Sequence, residues 1–443
     1  MHTHDRRIAG SWMNFLACAA VTLVAFSASS AQVHSTLVRF DGFRDGGVPF
    51  GPLLADGAHN LYGTTTWRGA FDSKCWGWNG GGSDCGTVFK LSPRGLAGGP
   101  WMENVLYRFT GGLDGAQPAG ALAMDKAGNL YGTTNFGGGE SGIAYELSPP
   151  VDPRDHWTET IIPIPGGLYP NGVIIDDAGN LFGTSYIGGD CEQGNVFELS
   201  PPIVPGDPWT GKQLYSFHCK GNSDPDGIDP VGHLIQGRAG ALYGVTKYSG
   251  HAQGTVFRIT PPAPGQTDWT EKVLYTFQGG PDGAYPNDGV TQYHGKLYGT
   301  TGSGGSCSDH NGCGTVFELT PPANLNGVWT KTTIYNFAGG ADGQDPGFEV
   351  SFDKQGNLYG TTRGGGSGGG GTVYKLAPPV NPGDPWTETI LHAFGLAQDG
   401  ISPSSPVLVG RSGSLFGMTS SGGDLNCSIW GSQGCGVIYK VVP

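Results

Sequence analysis

From residue 35 to the end, the chain is a succession of short apolar runs separated by Gly, Pro, Asn and Asp. Four phrases recur in a constant order. The first is small and apolar, as in Gly120-Ala-Leu-Ala-Met-Asp125 and Gly172-Val-Ile-Ile-Asp176. The second is Asn60-Leu-Tyr-Gly-Thr-Thr65, whose Leu returns as Leu130, Leu181, Leu242, Leu297, Leu358 and Leu415. The third is Gly86-Thr-Val-Phe-Lys-Leu91, repeated as far as Gly436 to Val441. The fourth alternates, as in Val105-Leu-Tyr-Arg-Phe109, with a weak copy at Thr160-Ile161-Ile162 and one at the start, Thr36 to Phe40.

Runs rich in β-branched and aromatic residues, with turn-forming boundaries, predict strands. Short connections make neighbouring strands antiparallel, so each unit predicts a four-stranded meander. Such a sheet cannot bury both of its faces alone. Seven units standing around an axis solve that problem and protect the strand edges. The expected fold is therefore all-β: a seven-bladed β-propeller of four-stranded antiparallel blades. The small-residue phrase belongs innermost, where a crowded channel demands Gly and Ala, and the aromatic alternating strand outermost. With that phase the chain starts on an outermost strand and ends on a third one, so the N-terminal strand would close the ring.

Composition agrees. The chain has 81 Gly and 32 Pro among 443 residues and only 14% charged residues, yet 37% hydrophobic ones. That is turn-rich and core-forming rather than disordered. A net charge of −13 with no block of Lys or Arg removes the electrostatic footprint of nucleic acid and disfavours anionic membrane surfaces.

Arg6 and Arg7, followed by the apolar run Phe15 to Phe26 and then Ser29-Ser30-Ala31, form a secretory signal pattern. The run is short for a bilayer span, which needs about 20 residues. Residues 1–31 are therefore expected to be a cleaved signal peptide and 32–443 one propeller domain, secreted (extracellular or periplasmic) without a stable membrane anchor. Cys18 leaves with the signal, and the eight remaining Cys imply disulfides in an oxidising compartment. Cys75–Cys85, Cys307–Cys313 and Cys427–Cys435 would each close a loop between second and third strands. Cys191 and Cys219 lie on loops of one face and would pair.

The long phrase Asp-x-x-Gly-Asn-Leu-Tyr-Gly-Thr-Thr, then Gly-Gly, then Gly-Thr-Val-Phe-Lys-Leu-Ser-Pro resembles the GloVer tandem repeat of bacterial exported proteins, whose usual description refers to a choice of C-terminal anchors. More distantly, it is similar to NHL-type and streptogramin-lyase-like propellers. The resemblance covers residues 35 to 443. It implies an exported propeller and supplies no catalytic residues; this chain departs from it in showing no anchor after the last repeat.

Three features could carry function. A Gly-Gly-x-Asp-Gly type of loop places Asp45, Asp114, Asp226, Asp282, Asp342 and Asp399 between units. Repetition favours turn formation over calcium binding or acid–base chemistry. Trp101, Trp157, Trp209, Trp269, Trp329 and Trp386 precede outermost strands and fit a repeated wedge between blades. The irregular loops stand apart. Long disulfide-pinned loops in units one and seven carry Trp67, Trp76, Trp78 and Trp430, a candidate rim for a glycan or another extracellular polymer. The scattered His59, His156, His233, His251, His294 and His310 share no ligand spacing and read as surface or turn residues. No metal, cofactor or catalytic residue is expected, and the protein is expected to be monomeric. The function read from these features is a binding or scaffold module. The alternative is a carbohydrate-active or lyase-type enzyme using the rim acids Asp45, Asp114 or Asp399.

Overall fold

The computed structural model describes residues 33–69, 85–95, 100–139, 141–204, 206–217, 219, 226–249, 253–307, 312–324, 327–381, 383–395, 398–429 and 432–443. Unit four shows the plan: Ile228–Gln236, Leu242–Tyr248, Thr255–Thr260 and Thr270–Thr276 pair antiparallel in chain order. Units five and six repeat it with short first strands, Thr291–Tyr293 and Ser351–Phe352. Units two and three share one eight-stranded sheet, joined by a single parallel bridge from Ala121 to Gly172. In unit one the first strand is interrupted, and Gly47–Pro49 and Leu54–Ala55 both pair with Leu61–Trp67. The last sheet brings the two ends of the described residues together, because Val33–Arg39 pairs antiparallel with Val437–Val442.

The repeated phrases explain themselves in this setting. The second and third phrases pair so that their Thr residues face one another: Thr65 and Thr87 share a hydroxyl hydrogen bond of 2.8 Å, Thr301 and Thr315 one of 2.9 Å. The Gly between Tyr and Thr leaves a hollow for the third strand's aromatic ring, as Gly63 does for Phe89. In the Asp-x-x-Gly-Asn turn, the Asp125 carboxylate accepts from the N–H groups of Ala127 and Asn129, the Asn129 amide and the Tyr131 hydroxyl. This is an Asx-type turn closed by its own side chain.

Cores form between units rather than within them. Except in unit two, where Ile162 takes this place, the Phe directly after an outermost strand meets the third-strand ring of the next unit: Phe109 with Tyr145, Phe217 with Phe257, Phe277 with Phe317, Phe337 with Tyr374 and Phe394 with Tyr439, at centroid separations of 5.0–5.1 Å. Phe40, on the N-terminal strand, meets Phe89 of unit one in the same way at 5.4 Å. Such pairs add about 0.5–1.5 kcal/mol each beyond their burial. The Trp series wedges alongside, with Trp101 on Phe416, Trp209 on Tyr131 and Trp269 on Phe182, each crossing to the preceding unit.

One junction recurs throughout. The residue before each first-strand proline is left-handed: Val48, Gln117, Tyr169, Asp229, Tyr285, Asp345 and Ser402, all with φ between 54° and 58°. This geometry is costly outside glycine. It aims each N–H at a carbonyl of the preceding unit, for example Gln117 at Cys85, Asp229 at Gln193 and Asp345 at Cys313. Val48 donates to the Cys435 carbonyl at 2.9 Å, so unit one is tied to unit seven as every other unit is tied to its predecessor. Recurrence makes this strain architectural.

The first strands converge on the hub as their small residues predict. At Gly120 (φ 82°) a Cβ would lie 2.3 Å from the Asn171 carbonyl oxygen. Backbone touches backbone there, which only glycine permits. The protein is an all-β β-propeller of antiparallel blades.

Candidate functional site

An axial cavity of about 600 Å³ opens at the hub. Its walls are the later halves of the first-phrase segments, including His233, Gln236, Gln292, Glu349, Phe352 and Leu408. It therefore opens on the face of the Asp-x-x-Gly-Asn turns. The loops joining second and third strands, with their disulfides, lie on the opposite face.

Strand register picks out what is special about this site. The position two residues before the partner of each second-phrase aromatic residue is Pro52, Ala121, Gly172, His233, Gly289, Glu349 and Pro406 in turn. It is small or apolar everywhere except units four and six. His233 is thus a hub residue, with its side chain 16% exposed. This corrects the expectation of a surface or turn histidine, which holds for His59 and His294 with their positive φ in turns. Sequence spacing hid the site because its partners come from different units; the available signal was an ionisable residue breaking a small, apolar phrase.

His233 Nε2 lies 3.2 Å from Glu349 Oε2. The other oxygen, Glu349 Oε1, is buried and has no hydrogen-bond partner. Asp288, the residue before Gly289 in unit five, stands beside them. It accepts from the Gly289 N–H at 2.9 Å and the Glu349 N–H at 3.3 Å. Burial, helped by the neighbouring Asp288 carboxylate, holds the Glu349 carboxyl well above the usual range. Burial also lowers the His233 imidazole, against an opposing pull from Asp288. The two side chains are therefore in contact, buried beside the Asp288 carboxylate.

A second group, His34, His392 and Asp399, also brings donor atoms within 4.8 Å of one another. It lies where the N-terminal strand meets unit six. The imidazoles stack at 3.9 Å, and His392 Nε2 is 3.1 Å from Asp399 Oδ2. Burial is the main cause that lowers both rings to about 4. Chemistry of this kind marks the outer seams generally. Glu103 is raised to about 8, by burial first and by Asp45 and Asp41 next. Glu159 and Glu388 are raised to about 7, again mainly by burial, with Asp114 and Asp342 of the preceding loops adding to it. At one seam Lys331 takes the glutamate's place and pairs with Asp282 at 3.0 Å.

The rim acids are occupied in turns. Asp45 accepts from the N–H groups of Asp41 and Gly42, and Asp114 from those of Thr110 and Gly112. Asp282 and Asp342 each take a tyrosine hydroxyl at 2.6 Å, Asp226 takes that of Tyr215, and Asp399 faces His392. Of the predicted aromatic rim, Trp67 ends the strand Leu61–Trp67 and packs against the cluster containing Phe40, Cys427 and Cys435. The next residue, Arg68, donates to the Ser428 carbonyl at 2.8 Å, so the unit-one and unit-seven loops do adjoin. Trp76, Trp78 and Trp430 lie outside the described residues, as does Cys75. Cys85 is disulfide-bonded. Cys191–Cys219, Cys307–Cys313 and Cys427–Cys435 are bonded as expected, with Cα separations of 5.3, 5.7 and 5.7 Å. Among the described residues, no helix is long and apolar enough to cross a membrane.

Fold and hub together define a β-propeller repeat protein. The chain belongs to the Gloeobacter/Verrucomicrobia repeat family, whose model matches residues 76–310 and 306–443. No curated protein matches it. Among solved structures it is similar to a gluconolactonase from Xanthomonas campestris, at 13% identity over 89% of this chain and 97% of that one, with a TM-score of 0.41. It is also similar to the soluble aldose sugar dehydrogenase from Escherichia coli, at 13% identity over 74% and 96%, with a TM-score of 0.43. A third is the polysaccharide lyase Uly1, at 11% identity over 93% and 98%, with a TM-score of 0.48.

Proposed function

We propose that this chain is an exported, seven-bladed propeller, closed by the strand Val33–Arg39, that works as a binding module through its axial cavity. The equal N–H junction at all seven units, from Val48 to Ser402, supports the count and the closure. Disulfides support export, since they persist in oxidising compartments.

The cavity carries the binding reading. Its volume, about 600 Å³, is that of a ligand pocket. Gln236, Thr291, Gln292 and Ser351 share its wall with Ile235, Phe352 and Leu408, a mixture of amide, hydroxyl and apolar surface suited to the end of a glycan or another hydroxyl-rich polymer. The alternative binding surface for such a ligand is the one expected from the sequence at Trp67, Trp76, Trp78 and Trp430. An enzyme is the second reading, favoured by one observation: a buried acid and imidazole, Glu349 and His233, in contact at the cavity floor. A glycan array followed by calorimetry separates these. Loss of binding in Gln292→Ala and Phe352→Ala, with Trp67→Ala unaffected, supports the cavity. The reverse pattern moves the ligand to the rim. Shortened or unsaturated products from a bound glycan would establish the enzyme.

A further inference from the structure

We propose that His233, Asp288 and Glu349 bind one divalent transition-metal ion, Zn²⁺ or Mn²⁺, at the floor of the axial cavity. This deepens the reading of the cavity as the binding site, because the ion would present a coordination position to whatever enters it.

Geometry comes first. One donor atom from each of the three residues lies within 4.8 Å of the others. Bonds of about 2.0–2.2 Å to a shared ion bring such atoms to about 3.5 Å apart, which small side-chain rotations achieve. The donors come from three successive units whose backbones are locked together at the hub.

A separate observation points to a ligand. Glu349 is 7% exposed, and its Oε1 has no hydrogen-bond partner. A buried, unpartnered carboxyl oxygen is costly, and a cation is the partner it lacks. The surroundings keep its place open: a Cβ on Gly289 would sit 2.1 Å from Glu349 Oε1, and one on Gly232 would sit 2.4 Å from Asp288 Oδ1. Glycine at 289 leaves room for the Glu349 carboxylate where units one, two and seven carry Pro52, Ala121 and Pro406. The Asp288 carboxylate is also held in place by two backbone N–H groups, the outer support that metal ligands characteristically have.

Donor chemistry selects the ion. One imidazole nitrogen with two carboxylates suits Zn²⁺ or Mn²⁺, whereas Ca²⁺ and Mg²⁺ take oxygen-only sets. Three protein ligands leave a position for water or a ligand hydroxyl, and His233 and Glu349 both line the cavity. The His34, His392 and Asp399 group is the weaker candidate, because its imidazoles are stacked face to face and direct their in-plane lone pairs side by side.

The test is calorimetry on untagged, EDTA-dialysed protein titrated with ZnCl₂, MnCl₂ and CaCl₂. One Zn²⁺ or Mn²⁺ per chain is expected, at micromolar affinity or tighter, with Ca²⁺ at least tenfold weaker. Glu349→Gln and His233→Gln should each weaken binding at least tenfold, and Gly289→Ala should do so by crowding Glu349. His392→Gln should leave binding unchanged. If a hub variant fails to fold, X-ray absorption fine structure of the Zn²⁺-loaded wild type tests the donor set instead, with one imidazole among oxygen ligands expected and a set without imidazole overturning the site. Absence of stoichiometric binding overturns the proposal, as does binding that survives in folded Glu349→Gln and His233→Gln. Metal uptake without any glycan binding leaves this site standing and removes the cavity-ligand reading; glycan binding without metal uptake does the opposite.

Discussion

The hub and the outer seams join the same units by different means. At the hub, backbones meet directly, and the space left by Gly120 or Gly232 admits nothing larger than hydrogen. At the outer seams, long side chains make the contact: Tyr107 between Asp114 and Glu159, Lys331 on Asp282, His34 on His392. A backbone contact tolerates no substitution, whereas a side-chain contact accepts any pair that fills the space and satisfies its charges. Ionisable residues therefore vary freely outside and are rare inside. That contrast makes His233, Asp288 and Glu349 informative: they place charge-bearing groups in the region that is otherwise intolerant of them.

Four substitutions probe the contrast, beginning with the hub. Gly120→Val forces a Cβ within 2.3 Å of the Asn171 carbonyl oxygen at φ 82°. It should cost about 4 kcal/mol or more, read as a collapsed urea midpoint by circular dichroism; a near-native midpoint would show that the hub is not close-packed. Lys331→Met, at a seam, leaves Asp282 with its hydroxyl and N–H partners but no cation. Because Asp282 is partly exposed, a loss of about 1–3 kcal/mol is expected.

Glu103→Gln has a pH signature. The folded carboxyl sits at about 8, above its ordinary 4.5, so the stability it contributes is complete below 4.5 and lost as pH rises through 8. Gln should recover about 1–2 kcal/mol at pH 8 and nothing at pH 4. Equal stability of both proteins at pH 8 would remove the assignment.

The smallest effect should come from His34→Phe. Both stacked rings are lowered from 6.5 to about 4, so their contribution is complete above 6.5 and lost as pH falls through 4. Phe keeps the stack without a titratable nitrogen and should recover about 1 kcal/mol at pH 4, measured as a smaller drop in melting temperature on acidification. The carboxyl seams thus weaken towards alkaline pH and the histidine seam towards acid. A monotonic stability profile from pH 4 to 8 would contradict one of the two.

Much of the fold was legible beforehand because its determinants are local. Alternation, turn chemistry and the repeated Thr-Thr and Gly-aromatic phrases specify strands and their neighbours within about 60 residues of one another. The disulfide loops and the small innermost phrase follow from the same short-range logic. The hub site was not legible. His233, Asp288 and Glu349 are separated by whole repeats, and nothing in their spacing connects them. They meet only because the packing of successive units brings equivalent first-strand positions together at the hub. Likewise, the acid in each Gly-Gly-x-Asp-Gly loop reads as turn chemistry locally, and only the packing of one unit on the next sets a glutamate, lysine or histidine against it. By itself the sequence determined strand, turn and unit. Tertiary structure alone decided which ionisable groups lost their water and found each other, because burial and long-range proximity are properties of the packed units.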